Sequence, residues 1–255
     1  MTTLADAVFW GMFAASGLLI GAAVAIVFNA RLTHRIVAAN MGFGGGVLIA
    51  VLSIDLMDTA FDDGGPVAAT LGFLLGALSF CAINWRLARR GARNRNRCGD
   101  CVSQPSERQQ KGSGLAIAIG SILDGIPESF VIGLSLLDGG KVGAGLVAGF
   151  FLANIPQGLS SAAGMRKACR SNCFIFTLWT GVMLASGAGA AVGFALLGNF
   201  GTALAATILA FSAGAVLAML TESIIPESFA EAQPFTGLIT VVGFLVAFLI
   251  IKAPG

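Results

Sequence analysis

Residues Ser113–Leu137 read SGLAIAIGSILDGIPESFVIGLSLL, an apolar run with Asp124, Pro127 and Glu128 in its middle. Crossing the hydrocarbon core of a bilayer takes about 20 predominantly apolar residues, and this run is long enough. The next apolar run, Val142–Gly164, carries a matching centre. Leu152-Ala153-Asn154-Ile155-Pro156-Gln157 lines up with Leu123-Asp124-Gly125-Ile126-Pro127-Glu128, 29 residues earlier. Proline removes a backbone donor and frees the carbonyl four residues back. In hydrocarbon that carbonyl needs a partner or must line a polar cavity. Two successive apolar runs, each with a proline flanked by polar side chains at mid-depth, therefore predict paired broken helices with a site between them.

The rest of the chain fits that setting. Of its 255 residues 56% are hydrophobic and 11% charged, against roughly 25% charged in soluble domains. Fifteen basic residues face 13 acidic ones, for a net charge of +2. Such a chain cannot clothe a water-soluble globule, and it offers no phosphate-binding field for nucleic acid. An outer-membrane barrel would alternate in segments of about ten residues; these runs are about twice that length. The expected fold is an all-α polytopic membrane protein in a single transmembrane domain embedded in the lipid bilayer.

Eight spans are expected, at about 7–28, 36–59, 66–88, 113–137, 142–164, 174–197, 201–223 and 235–251. Asp6 precedes the first run where a signal peptide would carry basic residues, so that run reads as a permanent span. Thirteen of the 15 basic residues fall in the first-to-second, third-to-fourth and fifth-to-sixth connections. The positive-inside rule then places both termini outside the cytoplasm, and a bacterial cytoplasmic (inner) membrane is the expected location. Segment 89–112, rich in Arg, Asn, Gln, Ser and Gly, reads as a flexible cytoplasmic loop. The 35 glycines lie mostly inside the spans, where small residues let helices approach closely.

A longer internal match links Phe43–Phe61 to Phe211–Phe229, at an offset of 168. Phe43, Gly46, Ala50, Leu52 and Phe61 correspond to Phe211, Gly214, Ala218, Leu220 and Phe229. The first copy lies on the second span and the second on the seventh, so the copies run in opposite directions. Inverted repeats of this kind are a common transporter construction.

The chemistry concentrates in the middle. A carboxylate at bilayer centre costs roughly 2.5–3.5 kcal/mol on insertion scales. Asp124 and Glu128, spaced i and i+4, put two on one helix face about 5–6 Å apart. A divalent cation between them would offset both the burial and the mutual repulsion. Asn154 and Gln157 on the fifth span can add amide oxygens. Asp55 and Asp58, at the outer end of span two, and Glu222 and Glu227, at the inner end of span seven, are candidate vestibule acids of one pathway. Cys98-Gly99-Asp100-Cys101 is a CxxC in the cytoplasmic loop, and Cys98 and Cys101 are candidate metal-capturing thiols, with Cys169 and Cys173 on the same side. Thiolate is a strong zinc ligand. The chain carries no phosphate loop, no Ser-His-Asp set and no His-based hydrolase motif, so no enzyme and no cofactor are expected.

These residues resemble the ZIP (Zrt/Irt-like) metal transporters. That family has eight spans, both termini outside and a long cytoplasmic loop after span three. Its fourth span reads roughly His-Asn-x-Pro-Glu-Gly, against Asp124-Gly125-Ile126-Pro127-Glu128-Ser129 here. Its fifth reads roughly His-Asn/Glu-x-Pro-Glu/Gln-Gly, against Ala153-Asn154-Ile155-Pro156-Gln157-Gly158. The resemblance implies that Asp124, Glu128, Gln157 and Asn154 stand at metal-ligand positions, that zinc is the default cargo, and that the chain is a homodimer. The departures are that both motif histidines are replaced, by Asp124 and Ala153. The only histidine, His34, falls in a cytoplasmic connection. The remaining oxygen-only set suits Mg, Ca or Mn, while carboxylates also bind zinc. The expected function is transport of a divalent cation towards the cytoplasm, with zinc, Mn, Fe and Cd as candidate cargoes. The alternatives are a scaffold of the same build that senses metal or binds a partner without transporting, and a carrier of protons or of a non-metal solute.

Overall fold

The structure is a computed structural model, and it describes residues 3–28, 33–92, 95, 104–106, 109–136, 143–197, 201–231 and 234–253. Among them every regular element is helical: α1 Leu4–Val27, α2 His34–Val51, α3 Met57–Leu87, α4 Ser113–Ser135, α5 Ala144–Lys167, α6 Asn172–Leu197, α7 Thr202–Met219, α8 Ile225–Glu231 and α9 Thr236–Lys252. Three π-helical turns interrupt or extend them, at Leu52–Leu56, Ala88–Ala92 and Leu220–Ile224. Six stretches of the described residues are long and apolar enough to cross a membrane, and Thr236–Lys252 is a shorter apolar helix. One of the six, His34–Ala92, is 59 residues long. It kinks at Gly65, whose φ of 72° lies in the left-handed region that glycine adopts without steric penalty. Pro66 follows, with its φ already set for the start of the next helix.

Helix boundaries follow local chemistry. Thr3 caps α1: its hydroxyl accepts from Asp6 N at 3.3 Å while the Asp6 carboxylate accepts from Thr3 N at 2.7 Å. This reciprocal pair satisfies two otherwise unpartnered N–H groups. Thr33 caps α2 by accepting from Ile36 N at 3.4 Å.

The packing inverts that of a soluble protein. Leu71, Leu74, Leu75 and Leu78 on α3, and Leu238, Val241, Leu245 and Leu249 on α9, are exposed. The interior is lined largely by Ala, Gly and Ser, with α4 and α5 at its centre. Lipid tails are as apolar as leucine, so helices gain little by hiding large side chains and associate instead by close backbone approach. α2 packs along α9, α3 along α7, α1 along α5 and α6, and α4 along α6.

The element boundaries recur 168 residues apart. His34 and Thr202 open α2 and α7; Leu52 and Leu220 open their π turns; Met57 and Ile225 open the helices that follow; and Leu4 and Asn172 open α1 and α6. The contacts recur as well. A Cβ at Gly46 would strike the Thr240 carbonyl of α9, and one at Gly214 the Phe73 carbonyl of α3. Gly76 meets the carbonyl of Phe211, and Gly243 that of Phe43, and Phe43 and Phe211 are themselves 168 apart. The α2–α9 and α7–α3 pairs are thus built on the same contact.

Replacing Gly214 by Ala is expected to cost about 1–3 kcal/mol, because a methyl group is forced against backbone that cannot yield. Gly181→Ala, where nothing lies within 4 Å of the added carbon, should leave stability unchanged or slightly raised. Thermal unfolding of the two purified variants in one detergent checks the contrast.

Candidate functional site

α4 places Ser121, Asp124 and Glu128 on one face, at spacings of three and four residues. Asp124 and Glu128 are 2% and 4% exposed, and Asn154 and Gln157 on α5 are also buried. All four motif residues are therefore interior, and the two helices meet at Glu128 and Asn154. Asn154 ties them together: its amide donates to Glu128 Oε2 at 3.2 Å and to the carbonyl of Ala14 on α1 at 3.1 Å. With both N–H bonds so directed, Oδ1 is the end of the amide that accepts. Ser129 donates to the Gly125 carbonyl at 2.6 Å. The expected breaks at the prolines are not formed, since α4 and α5 run continuously through Pro127 and Pro156, which each remove one backbone donor without ending the helix. Ser121 Oγ is buried with no hydrogen-bond partner among the described residues.

The dominant contact at Asp124 comes from outside the motif. Arg95 lies in the connection between α3 and α4. Its Nη2 reaches Asp124 Oδ1 at 2.6 Å and its Nε reaches Oδ2 at 2.9 Å. This is a two-point fork, and both side chains are 1% exposed. Planar guanidinium matches carboxylate in this geometry, which an ammonium cannot do. The third nitrogen, Nη1, donates to Asn84 Oδ1 at 2.7 Å and to the Ala92 carbonyl at 3.3 Å. Asn84, on α3, donates in turn to Glu222 on the π turn after α7.

Arg95 is also held by its backbone. Its carbonyl accepts from Ser161 Oγ of α5 at 2.5 Å and from Gln104 Nε2 at 2.9 Å. Next to Gln104, the Pro105 carbonyl accepts from Arg170 Nη2 at 3.2 Å. The stem of Arg95 crosses α4 at Gly120, where a Cβ would come within 2.6 Å of Arg95 Cδ. An unbroken chain of polar contacts thus runs from Glu222 through Asn84 and Arg95 to Asp124. One helical turn further on α4, Glu128 makes a separate contact with Asn154.

The other expected residues fall as follows. Asp55 is half-buried on the π turn Leu52–Leu56, and Asp58 is exposed at the start of α3. Glu222 is exposed on the corresponding π turn, and Glu227 is buried on α8. The π turns Leu52–Leu56 and Leu220–Ile224 therefore each carry one of the four flanking acids; such turns break the regular ladder and are frequent at functional sites. Cys98 and Cys101 lie outside the described residues. Cys169 and Cys173 are exposed free thiols. No group of three or more His, Cys, Asp or Glu side chains gathers among the described residues, so the centre consists of one carboxylate pair with amide and hydroxyl oxygens around it. Sequence reading missed Arg95 and Asn84. Asn84 left a trace, as an amide inside an apolar span. Arg95 left none, being one of several arginines in 86–97.

The chain is an all-helical protein whose long apolar helices are those of an integral membrane protein, with a charged cluster sealed in its interior. No known family model matches it, and no curated protein matches it.

Removing one member of a buried ion pair leaves the other uncompensated, at about 3–5 kcal/mol. Asp124→Asn and Arg95→Gln should each destabilise the fold by that order, and the double variant by clearly less than their sum. A double-mutant cycle of unfolding midpoints measures the coupling.

Proposed function

We propose that the chain is a ZIP-like carrier of a divalent metal cation, with Asp124 and Glu128 as the binding carboxylates and Asn154 and Gln157 supplying amide oxygens. The observation that carries this reading is the buried pair of carboxylates one turn apart on α4, bridged to α5 by Asn154 and joined through Arg95 and Asn84 to Glu222. Ionisable groups at such depth are expensive and usually mark an ion pathway.

The architecture supports it. The kink at Gly65 divides the long stretch 34–92 into two spans, which with α9 makes eight. The boundaries that recur at 168 then pair spans one to three with spans six to eight. Mates five spans apart cross the membrane in opposite directions, so the halves are inverted. Asp55 and Glu222, on corresponding π turns, stand at opposite mouths, and rocking of the halves about the α4–α5 centre exposes the site to each in turn. Inward movement follows from the positive-inside orientation, which puts Glu222 on the cytoplasmic side. Zinc is the default cargo of the resemblance, whereas the oxygen-only donors favour Mn²⁺ or another hard ion. A homodimer comes from the resemblance alone.

A second reading has one observation in its favour. Asp124 already has a full counter-charge in Arg95, as expected of a scaffold that no longer moves metal and instead senses it or binds a partner.

Uptake into proteoliposomes over Zn²⁺, Cd²⁺, Mn²⁺, Fe²⁺, Co²⁺ and Mg²⁺, with an internal pH dye, separates the two readings. Transport predicts uptake of at least one ion, reduced about tenfold or more by Asp124→Asn with Glu128→Gln. Uptake unchanged in the folded double variant would sink the site assignment, and no uptake of any ion by wild type would sink transport. In that case Cys98→Ser with Cys101→Ser should abolish metal binding if the loop is a sensor.

A further inference from the structure

We infer that Arg95 is a tethered competitor for the cation position at Asp124, so that cation binding and the release of Arg95 from α4 are one exchange. The inference rests on the cation reading above and adds the regulation and selectivity of that site.

The charge balance of the cluster leads to it. Once a bound ion has both carboxylates ionised, Asp124, Glu128 and Arg95 together carry one net negative charge. Adding a divalent ion beside the guanidinium would make the cluster positive and force two cations together in a medium of low dielectric, where their repulsion is strong. Putting the ion in place of the guanidinium makes it neutral. Exchange is therefore favoured over addition. The geometry agrees, because Arg95 Nε and Nη2 engage both oxygens of Asp124. An ion bound at that carboxylate would meet the guanidinium at van der Waals distance.

The tether is suited to exchange. Arg95 belongs to the connection between α3 and α4, not to a packed helix, and it is fixed by a few polar contacts: Ser161, Gln104, Asn84 and the Ala92 carbonyl. Each of these can be replaced by water when Arg95 withdraws. Arg95 also lies between Asp124 and Glu222 along the chain of contacts. While it is docked, the route from the site to the Glu222 mouth is occupied. An ion strong enough to displace it opens that route in the same step.

Two consequences follow. A monovalent ion cannot match a forked guanidinium, so the competitor raises selectivity for divalent ions. After the ion leaves, Arg95 re-enters and the emptied site never holds an unpaired Asp124 in hydrocarbon. The carrier can then reset without a proton in that position.

Trypsin cleavage of the full chain after Arg95, read by mass spectrometry with and without Mn²⁺ or Zn²⁺, tests this without altering the site. Exchange predicts slow cleavage of the ion-free wild type and cleavage about tenfold faster at saturating ion. Asp124→Asn should be cut quickly from the start, with no further gain from the ion. In parallel, Arg95→Gln should bind Mn²⁺ about tenfold more tightly than wild type, and Arg95→Lys should fall between. Should Arg95→Gln fail to fold, the wild-type cleavage and the Arg95→Lys affinity still decide. If the ion leaves wild-type cleavage unchanged and neither variant gains affinity, while Asp124→Asn with Glu128→Gln abolishes uptake, the exchange is wrong and the cation site stands. If no ion in the panel binds wild type or Arg95→Gln, the cation reading falls and takes the exchange with it.

Discussion

An ionised carboxylate cannot sit in the interior of a membrane protein without a counter-charge, and at Asp124 that charge is Arg95. The fork between them sets demands on everything nearby. A guanidinium has five N–H groups to satisfy and no means of losing its proton. Asn84 and the Ala92 carbonyl take the third nitrogen, and Asn84 is steadied by Glu222. The stem needs room across α4, which Gly120 leaves. The backbone at 95 must stay at that depth, and Ser161 and Gln104 hold its carbonyl there. Five segments of the chain, from α3 to the π turn after α7, thus meet through one ion pair.

That centre is held in a shell assembled by different forces. Leucines face outward, and small residues bring backbones together. Gly46, Gly76, Gly214 and Gly243 each lie against a carbonyl of the facing helix, so dispersion and tight fit do the work that hydrophobic burial does in water. Because these contacts come in pairs 167 or 168 residues apart, the α2–α9 and α7–α3 pairs are alike in fit. α4 and α5 lie between them, and the polar atoms those helices carry are what the layers enclose. A tight shell around a centre of polar contacts is a division suited to motion: the helix pairs stay intact while hydrogen bonds at the centre are exchanged.

Most of this frame was legible in the sequence, and the reasons are physical. Long apolar runs announce helices because a bilayer sets their length. The carboxylates and prolines of α4 and α5 stood out because nothing else at that depth is polar. The π turns at Leu52–Leu56 and Leu220–Ile224 were not legible. A π turn is one residue of extra winding, decided by packing, and it has no composition of its own. Their common spacing did leave a trace in the Phe43–Phe61 match. Gly65 reads in sequence as a loop glycine before a proline, and only its positive φ distinguishes a kink within one long helical stretch from a true connection. Segment 89–112 has the composition of a flexible loop, and at Arg95 and Gln104 it is buried. Sequence composition reports what a segment prefers in water, not which of its side chains finds a partner inside. Among the arginines of 86–97 only three-dimensional proximity to Asp124 singles one out.

Arg95 also gives a physical account of how this chain departs from the motif it resembles. Where the ZIP-like pattern has a histidine, α4 has Asp124. A neutral imidazole offers a guanidinium one weak acceptor and no charge; a carboxylate offers two oxygens in the plane the fork requires. The replacement is what makes the Arg95 contact available. Where that pattern has its second histidine stands Ala153, a buried residue of an apolar cluster. Read singly, each change looks like the decay of a metal site. Taken together with Arg95 they describe a different electrostatic solution, in which the charge of the α4 carboxylate is balanced by a guanidinium of the chain itself.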